Sequence, residues 1–136
     1  MEKGPSISRI NPPELGTPPG YSQIVQVAAS RLIFVAGQTA LDSEGKVVGI
    51  GDFAAQAERA FANLGIALRA AGCSPANVVK MTVFLTDMNN LSIYREARNR
   101  FFATVSPPAA PAVTLVEVSK LYGPHFLIEV EAIAAA

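Results

Sequence analysis

Two kinds of hydrophobic spacing divide this chain. Over residues 53–71 apolar side chains recur in steps of three and four: Phe53, Ala57, Ala60, Phe61, Leu64 and Leu68. On a helix that spacing makes one buried stripe. Asp52 can cap the helix N-terminus, and Gly72 follows as the residue just past its end. Residues 78–87 alternate instead. Val79, Met81, Val83 and Leu85 fall on one face, and Lys80, Thr82, Phe84 and Thr86 on the other, as in a strand. A second helix is expected over about residues 90–104, with Leu91, Tyr94, Arg98, Phe101 and Phe102 toward one side. Glu96 and Arg100 are spaced i,i+4 on it, a pairing that adds only about a few tenths of a kcal/mol.

Residues 31–40, 112–118 and 125–134 are further strands, rich in β-formers, and 22–27 is a weaker one. Residues 41–51 carry Asp, Ser and Gly around Val47 and Val48, which reads as a turn with a short strand. Ser74 and Pro75 offer an N-cap and a first-turn proline for one short turn. Residues 106–111 form a proline-rich break. Residues 1–20 contain Pro5, Pro12, Pro13, Pro18 and Pro19, so they read as an extended or looping arm. The order β-β-(β)-α-β-α-β-β predicts an α+β fold, with two helices on one face of a mixed sheet. The other face keeps apolar residues and has no layer left to cover it, so oligomerisation is expected.

Composition agrees. The 136 residues suit one domain, 1–136, and 50% are hydrophobic, with a mean hydropathy of +0.30. That excludes disorder and is a high apolar content for a small monomer. The formal net charge is zero, which gives no electrostatic footprint for nucleic acid. A single cysteine, Cys73, excludes an internal disulfide. The start M-E-K-G-P-S lacks the apolar core of a secretory signal, and no run is long enough to span a bilayer, so a cytoplasmic protein with no membrane contact is expected.

Candidate chemistry is sparse. There is no G-x-G-x-x-G, P-loop, G-x-S-x-G or H-E-x-x-H motif. His125 and Cys73 do not make a zinc site, so metal chemistry is poorly supported. His125 reads as a loop or strand-start residue and Cys73 as an inert thiol. Glu129 and Glu131 share one face of the last strand. They are either solvated or paired with Lys80 across the sheet, or else a carboxylate held at an apolar interface with a raised pKa. Such a carboxylate can position or deprotonate a water.

The segments P-A-V-T-L-V-E-V-S-K-L (111–121) and I-E-V-E-A-I-A (128–134) resemble the C-terminal signature of the RidA (YjgF, endoribonuclease L-PSP-like) family of reactive-intermediate deaminases. P-P-G-Y-S-Q (18–23), F-V-A-G-Q (34–38), A-A-G-C-S-P-A-N-V-V-K-M-T-V-F-L-T-D-M (70–88) and R-F-F (100–102) resemble other family segments in the same order. The resemblance implies a chorismate-mutase-like fold and a homotrimer with small-molecule sites between subunits. It also implies hydrolysis of imines and enamines to keto acids and ammonia, with no metal or organic cofactor. Carried over by position, Tyr21 matches a ligand-contacting tyrosine, Gly37 a glycine approaching the ligand, and Glu129 a water-orienting glutamate. Ala36 stands where serine is usual, Leu115 where cysteine or threonine is common, and Arg95 near a position often held by asparagine. Val113 replaces the arginine that clamps the substrate carboxylate. A bidentate arginine pair is charge-assisted, and losing even about 3 kcal/mol costs roughly a hundredfold in binding. The pocket is therefore either retuned for a substrate other than a typical 2-imino acid or catalytically silent, holding a metabolite as a sensor. A ribonuclease or translation-inhibitor role fits the neutral charge poorly. Arg95 is either a surface residue or an anion site supplied from the helix side.

Overall fold

The computed structural model describes residues 4–136. Strand β1 (Ser6–Ile10) pairs antiparallel with β2 (Ile24–Ala28). Strand β3 (Leu32–Gln38) precedes helix α1 (Phe53–Ala70), strand β4 (Val78–Leu85), helix α2 (Leu91–Phe102), strand β5 (Ala112–Glu117) and strand β6 (Ile128–Ala135). The main sheet has the order β3-β6-β4-β5. Strand β4 runs parallel to β5 and antiparallel to β6, so the sheet is mixed. A parallel pair needs a crossover connection, and α2 supplies it. The expected α+β arrangement of two helices on a mixed sheet is what forms.

The N-terminal arm needs correction. Residues 1–20 are not only an extended or looping arm, because Ser6–Ile10 is a paired strand. Its Ser-Ile-Ser-Arg-Ile run is short, sets Ile7 and Ile10 on opposite faces and lies among prolines, so no alternation marks it. The expected strand around Val47 is only a single bridge, Leu41 to Val47. Ser22 joins the hairpin to the main sheet: its N–H donates to Pro111 O at 3.0 Å, and it bridges Ala112 in parallel.

The helix boundaries follow their caps. Asp52 accepts from Ala55 N–H at 3.1 Å, and Gly72 adopts a φ of +75° just past the end of α1. Ser74 forms a capping box with Asn77. The stripe of α1 packs on the sheet face formed by Met81, Val83 and Leu85 of β4 and by Ile128, Val130 and Ala132 of β6. Leu64, Leu68, Met81, Leu85 and Ile128 are fully buried. Each such side chain contributes about 1.5–3 kcal/mol by leaving water.

Polar staples lock the loops onto this core. Gln56 has no exposed surface. Its amide nitrogen donates to Gly49 O at 3.1 Å and His125 O at 2.7 Å, and its oxygen accepts from Leu127 N–H at 2.9 Å. Asn63 Nδ2 donates to Thr39 O and Leu41 O, each at 2.9 Å. Arg59 Nε reaches Leu41 O at 2.9 Å. Helix α1 thereby holds both the exit of β3 and the entry to β6.

The opposite sheet face is uncovered. Phe34 is 72% exposed and Leu32 56% exposed. Among the described residues the one ion pair is Lys46–Glu44 at 3.4 Å. Glu96 and Arg100 therefore do not form their expected pair. Among the described residues no helix is long and apolar enough to cross a membrane.

Candidate functional site

The sequence-predicted site residues fall into two groups. Ala36, Gly37 and Glu129 lie at the seam between β3 and β6. The register there moves from Val35 opposite Ala132 to Gln38 opposite Val130, so Ala36 and Gly37 together stand against one residue of β6. That is a bulge, which bends a strand and re-aims its neighbours. A Cβ at Gly37 would overlap the Glu129 carboxylate. Glycine is needed here for close approach, because it alone leaves that volume to the carboxylate.

Glu129 is half-buried beside Phe84, its partner across β4. Burial pushes its carboxyl pKa up, and the neighbouring charge of Glu131 raises it further. Lys80 does not neutralise either glutamate, since its Nζ donates to Thr114 Oγ1 at 2.7 Å. Of the two readings of this strand, the perturbed carboxylate fits better than the cross-sheet pair. Ala36 lies on the same open face, in a hollow shared with Phe34, Lys80 and Glu131.

Tyr21, Arg95, Val113 and Leu115 form the second group. They line one cavity of about 210 Å³ between the N-terminal segment, α2 and the edge strand β5. In-register pairing of Met81 with Val113 and Val83 with Leu115 turns both β5 side chains to the helix-covered face. Phe84 pairs with Glu129, which puts Glu129 on the other face. Within one chain the glutamate and the cavity are thus separated by the thickness of the sheet, with β4 between their strands.

Pro19, Tyr94 and Arg98 also line the cavity, and the sequence reading did not include them in the site. The available signal was an arginine on the apolar stripe of α2. Arg98 is only 5% exposed. Cys73 is buried and His125 is exposed on the loop before β6, and neither joins either group. Among the described residues no three His, Cys, Asp or Glu side chains gather as a metal-holding set.

The sequence profile of the family described as Endoribonuclease L-PSP matches residues 14–136. This chain belongs to that family, also called RidA or YjgF. It is 42% identical to the 2-iminobutanoate/2-iminopropanoate deaminase of Mus musculus, covering 84% of this chain and 79% of the relative. It is 37% identical to protein DfrA of Myxococcus xanthus over 85% of each. The crystal structure of the Rid-family protein YyfB from Yersinia pestis superposes with a TM-score of 0.84 at 31% identity, covering 96% of this chain and 98% of that one. E. coli TdcF with bound serine superposes with a TM-score of 0.71 at 30% identity, covering 89% and 91%. This RidA-family chain has no donor at Val113 or Leu115.

Proposed function

We propose that this RidA-family chain, acting as one domain over residues 1–136, hydrolyses an imine or enamine other than a typical 2-imino acid. It works without a metal or organic cofactor, from clefts between the subunits of a homotrimer. The carrying observation is Glu129, a half-buried carboxylate with a raised pKa packed against Gly37 on the uncovered sheet face. Such a group accepts a proton from water as that water adds to the imine carbon, and ammonia then leaves. Tyr21, Arg95, Val113 and Leu115 hold the rest of the substrate.

The separation of the two groups supports a subunit cleft. Glu129 and the Tyr21 cavity lie on opposite sheet faces, and a second copy packed on the open face brings one group toward the other. Deaminase relatives at 38–42% identity, and a serine-bound TdcF as a structural neighbour, support a small-molecule site. Val113 argues against a 2-carboxylate clamp in the usual position.

The test is ammonia release from imines generated in situ. We expect faster release from N-unsubstituted ketimines lacking a 2-carboxylate than from 2-iminobutanoate. Glu129→Gln should lower kcat about 10²–10⁴-fold. If no imine is consumed faster than in buffer, the hydrolase reading fails. Saturable ligand binding without turnover, weakened by Tyr21→Ala, would then identify a binder or sensor.

A further inference from the structure

The arginine absent from strand β5 has counterparts across the cavity. Arg95 and Arg98 of α2 line the same 210 Å³ space as Val113 and Leu115. Arg98 is 5% exposed, and among the described residues it has no carboxylate within ion-pairing distance. Its Nε and Nη2 donate to Asn99 Oδ1 at 3.3 and 3.1 Å, and Nη2 also donates to Pro19 O at 3.2 Å. All these acceptors are neutral, and Nη1 has no acceptor among the described residues. Its guanidinium lies 5.6 Å from the centre of the Tyr94 ring. A buried guanidinium is ordinarily matched by an anion.

Tyr94 supplies a second observation at the same cavity. The residue is 1% exposed, and its hydroxyl has no hydrogen-bond partner among the described residues. Burial raises the phenol pKa, against the opposing pull of Arg98 and, more weakly, Arg95. Arg98 acts on the phenol by charge and by a side-chain contact, but that contact falls outside hydrogen-bond geometry and leaves the hydroxyl unsatisfied among the described residues. Buried hydroxyls are nearly always paired, so this one marks a place where an acceptor belongs. The wall opposite is apolar, made by Val113 and Leu115. Among the described residues no acidic side chain lines the cavity.

We propose that Arg95, Arg98 and the Tyr94 hydroxyl form an anion site on α2 that binds the carboxylate of a short aliphatic ligand. Val113 and Leu115 pack against its hydrocarbon chain. Arg95 is the exposed, adaptable member, and Arg98 is the fixed one. The cavity is smaller than the ~300–1,000 Å³ usual for drug-sized ligands, so only a short chain fits. Resting on the imine-hydrolase reading, this names a substrate class: an imine or enamine whose carboxylate lies several bonds from the reacting carbon. Its anion is then held from the helix, not from the strand, which separates it from a 2-imino acid.

Titration calorimetry of the full chain with pentanoate and its neutral isostere pentanamide tests the site. Pentanoate should bind at least tenfold more tightly. Arg95→Gln should weaken pentanoate at least tenfold, Tyr94→Phe several-fold, and neither should alter pentanamide. Arg95 is exposed, so its variant folds even if changes at Arg98 do not. Equal binding of acid and amide, no pentanoate binding, or unchanged pentanoate affinity in both variants overturns the proposal. Pentanoate binding without imine turnover leaves this site standing and removes the hydrolase reading. Turnover without pentanoate binding does the reverse.

Discussion

Glu129 combines two requirements that usually conflict, closeness to backbone and a perturbed charge. Gly37 gives the carboxylate room, and burial with Glu131 nearby disfavours its ionised form. A base must be ionised to accept a proton, so activity should rise with pH through the raised Glu129 pKa. Glu131→Gln removes one of the two causes. The midpoint of the acidic limb of kcat/KM, and of the Glu129 carboxyl signal in NMR titration, should move down. Linkage gives a second readout. The folded pKa lies above the unfolded one, so the protonated form favours folding. That advantage is full below the unfolded pKa and is lost as pH rises through the folded pKa. Glu131→Gln should make the loss smaller. An unmoved midpoint would mean that the two glutamates do not interact. Alternation put both glutamates on one face from sequence alone, and family resemblance singled out Glu129. The lack of a Lys80 partner was not legible, because a neutral hydroxyl, Thr114, competes for the same ammonium group.

At the scale of elements, strong periodicity transferred well and polar anchoring did not. The α1 stripe and the β4 alternation each bury one face, so spacing alone located them to within a residue or two. Strand β1 depends on partner β2 and carries few apolar residues, so no local pattern announced it. Gln56 was silent for a different reason. It sits beside the apolar stripe of α1, and its value lies in three backbone partners far along the chain or across a turn. Gln56→Ala leaves the Leu127 N–H without its acceptor and two carbonyls without donors. Loss of roughly 2–3 kcal/mol is expected, given about 1–3 kcal/mol for each buried group left unsatisfied and some rescue by water. Urea unfolding measures it, and a change below about 0.5 kcal/mol would show that the loop before β6 is held by other contacts. The same staple positions the start of the strand that carries Glu129, so activity should fall along with stability.

For the whole molecule, the uncovered sheet face and the divided site make one argument. Phe34 and Leu32 are exposed beside the Glu129 seam, while the Tyr21–Arg95 cavity opens on the far side of the sheet at β5. A chain alone leaves apolar surface in water and its chemical groups apart. Association through the open face would cover that apolar surface, as the high apolar content and the absence of a third layer suggest, and on the proposed reading it also joins the groups. Which residues of a partner face which group is not written in periodicity, because spacing describes one chain's faces and not their docking. Phe34→Glu tests the link. Burying a phenylalanine contributes about 1.5–3 kcal/mol, and a glutamate in its place adds the cost of a desolvated charge. Each contact should therefore weaken by at least about a hundredfold. Sedimentation equilibrium should show a trimer for the unaltered protein and monomer for the variant. Imine turnover should vanish with the trimer, and because Phe34 shares the Ala36 hollow, Leu32→Glu, outside that hollow and the Tyr21 cavity, should have the same effect. A monomeric variant that keeps full turnover would place the whole reaction within one chain, and the divided-site account would then be wrong.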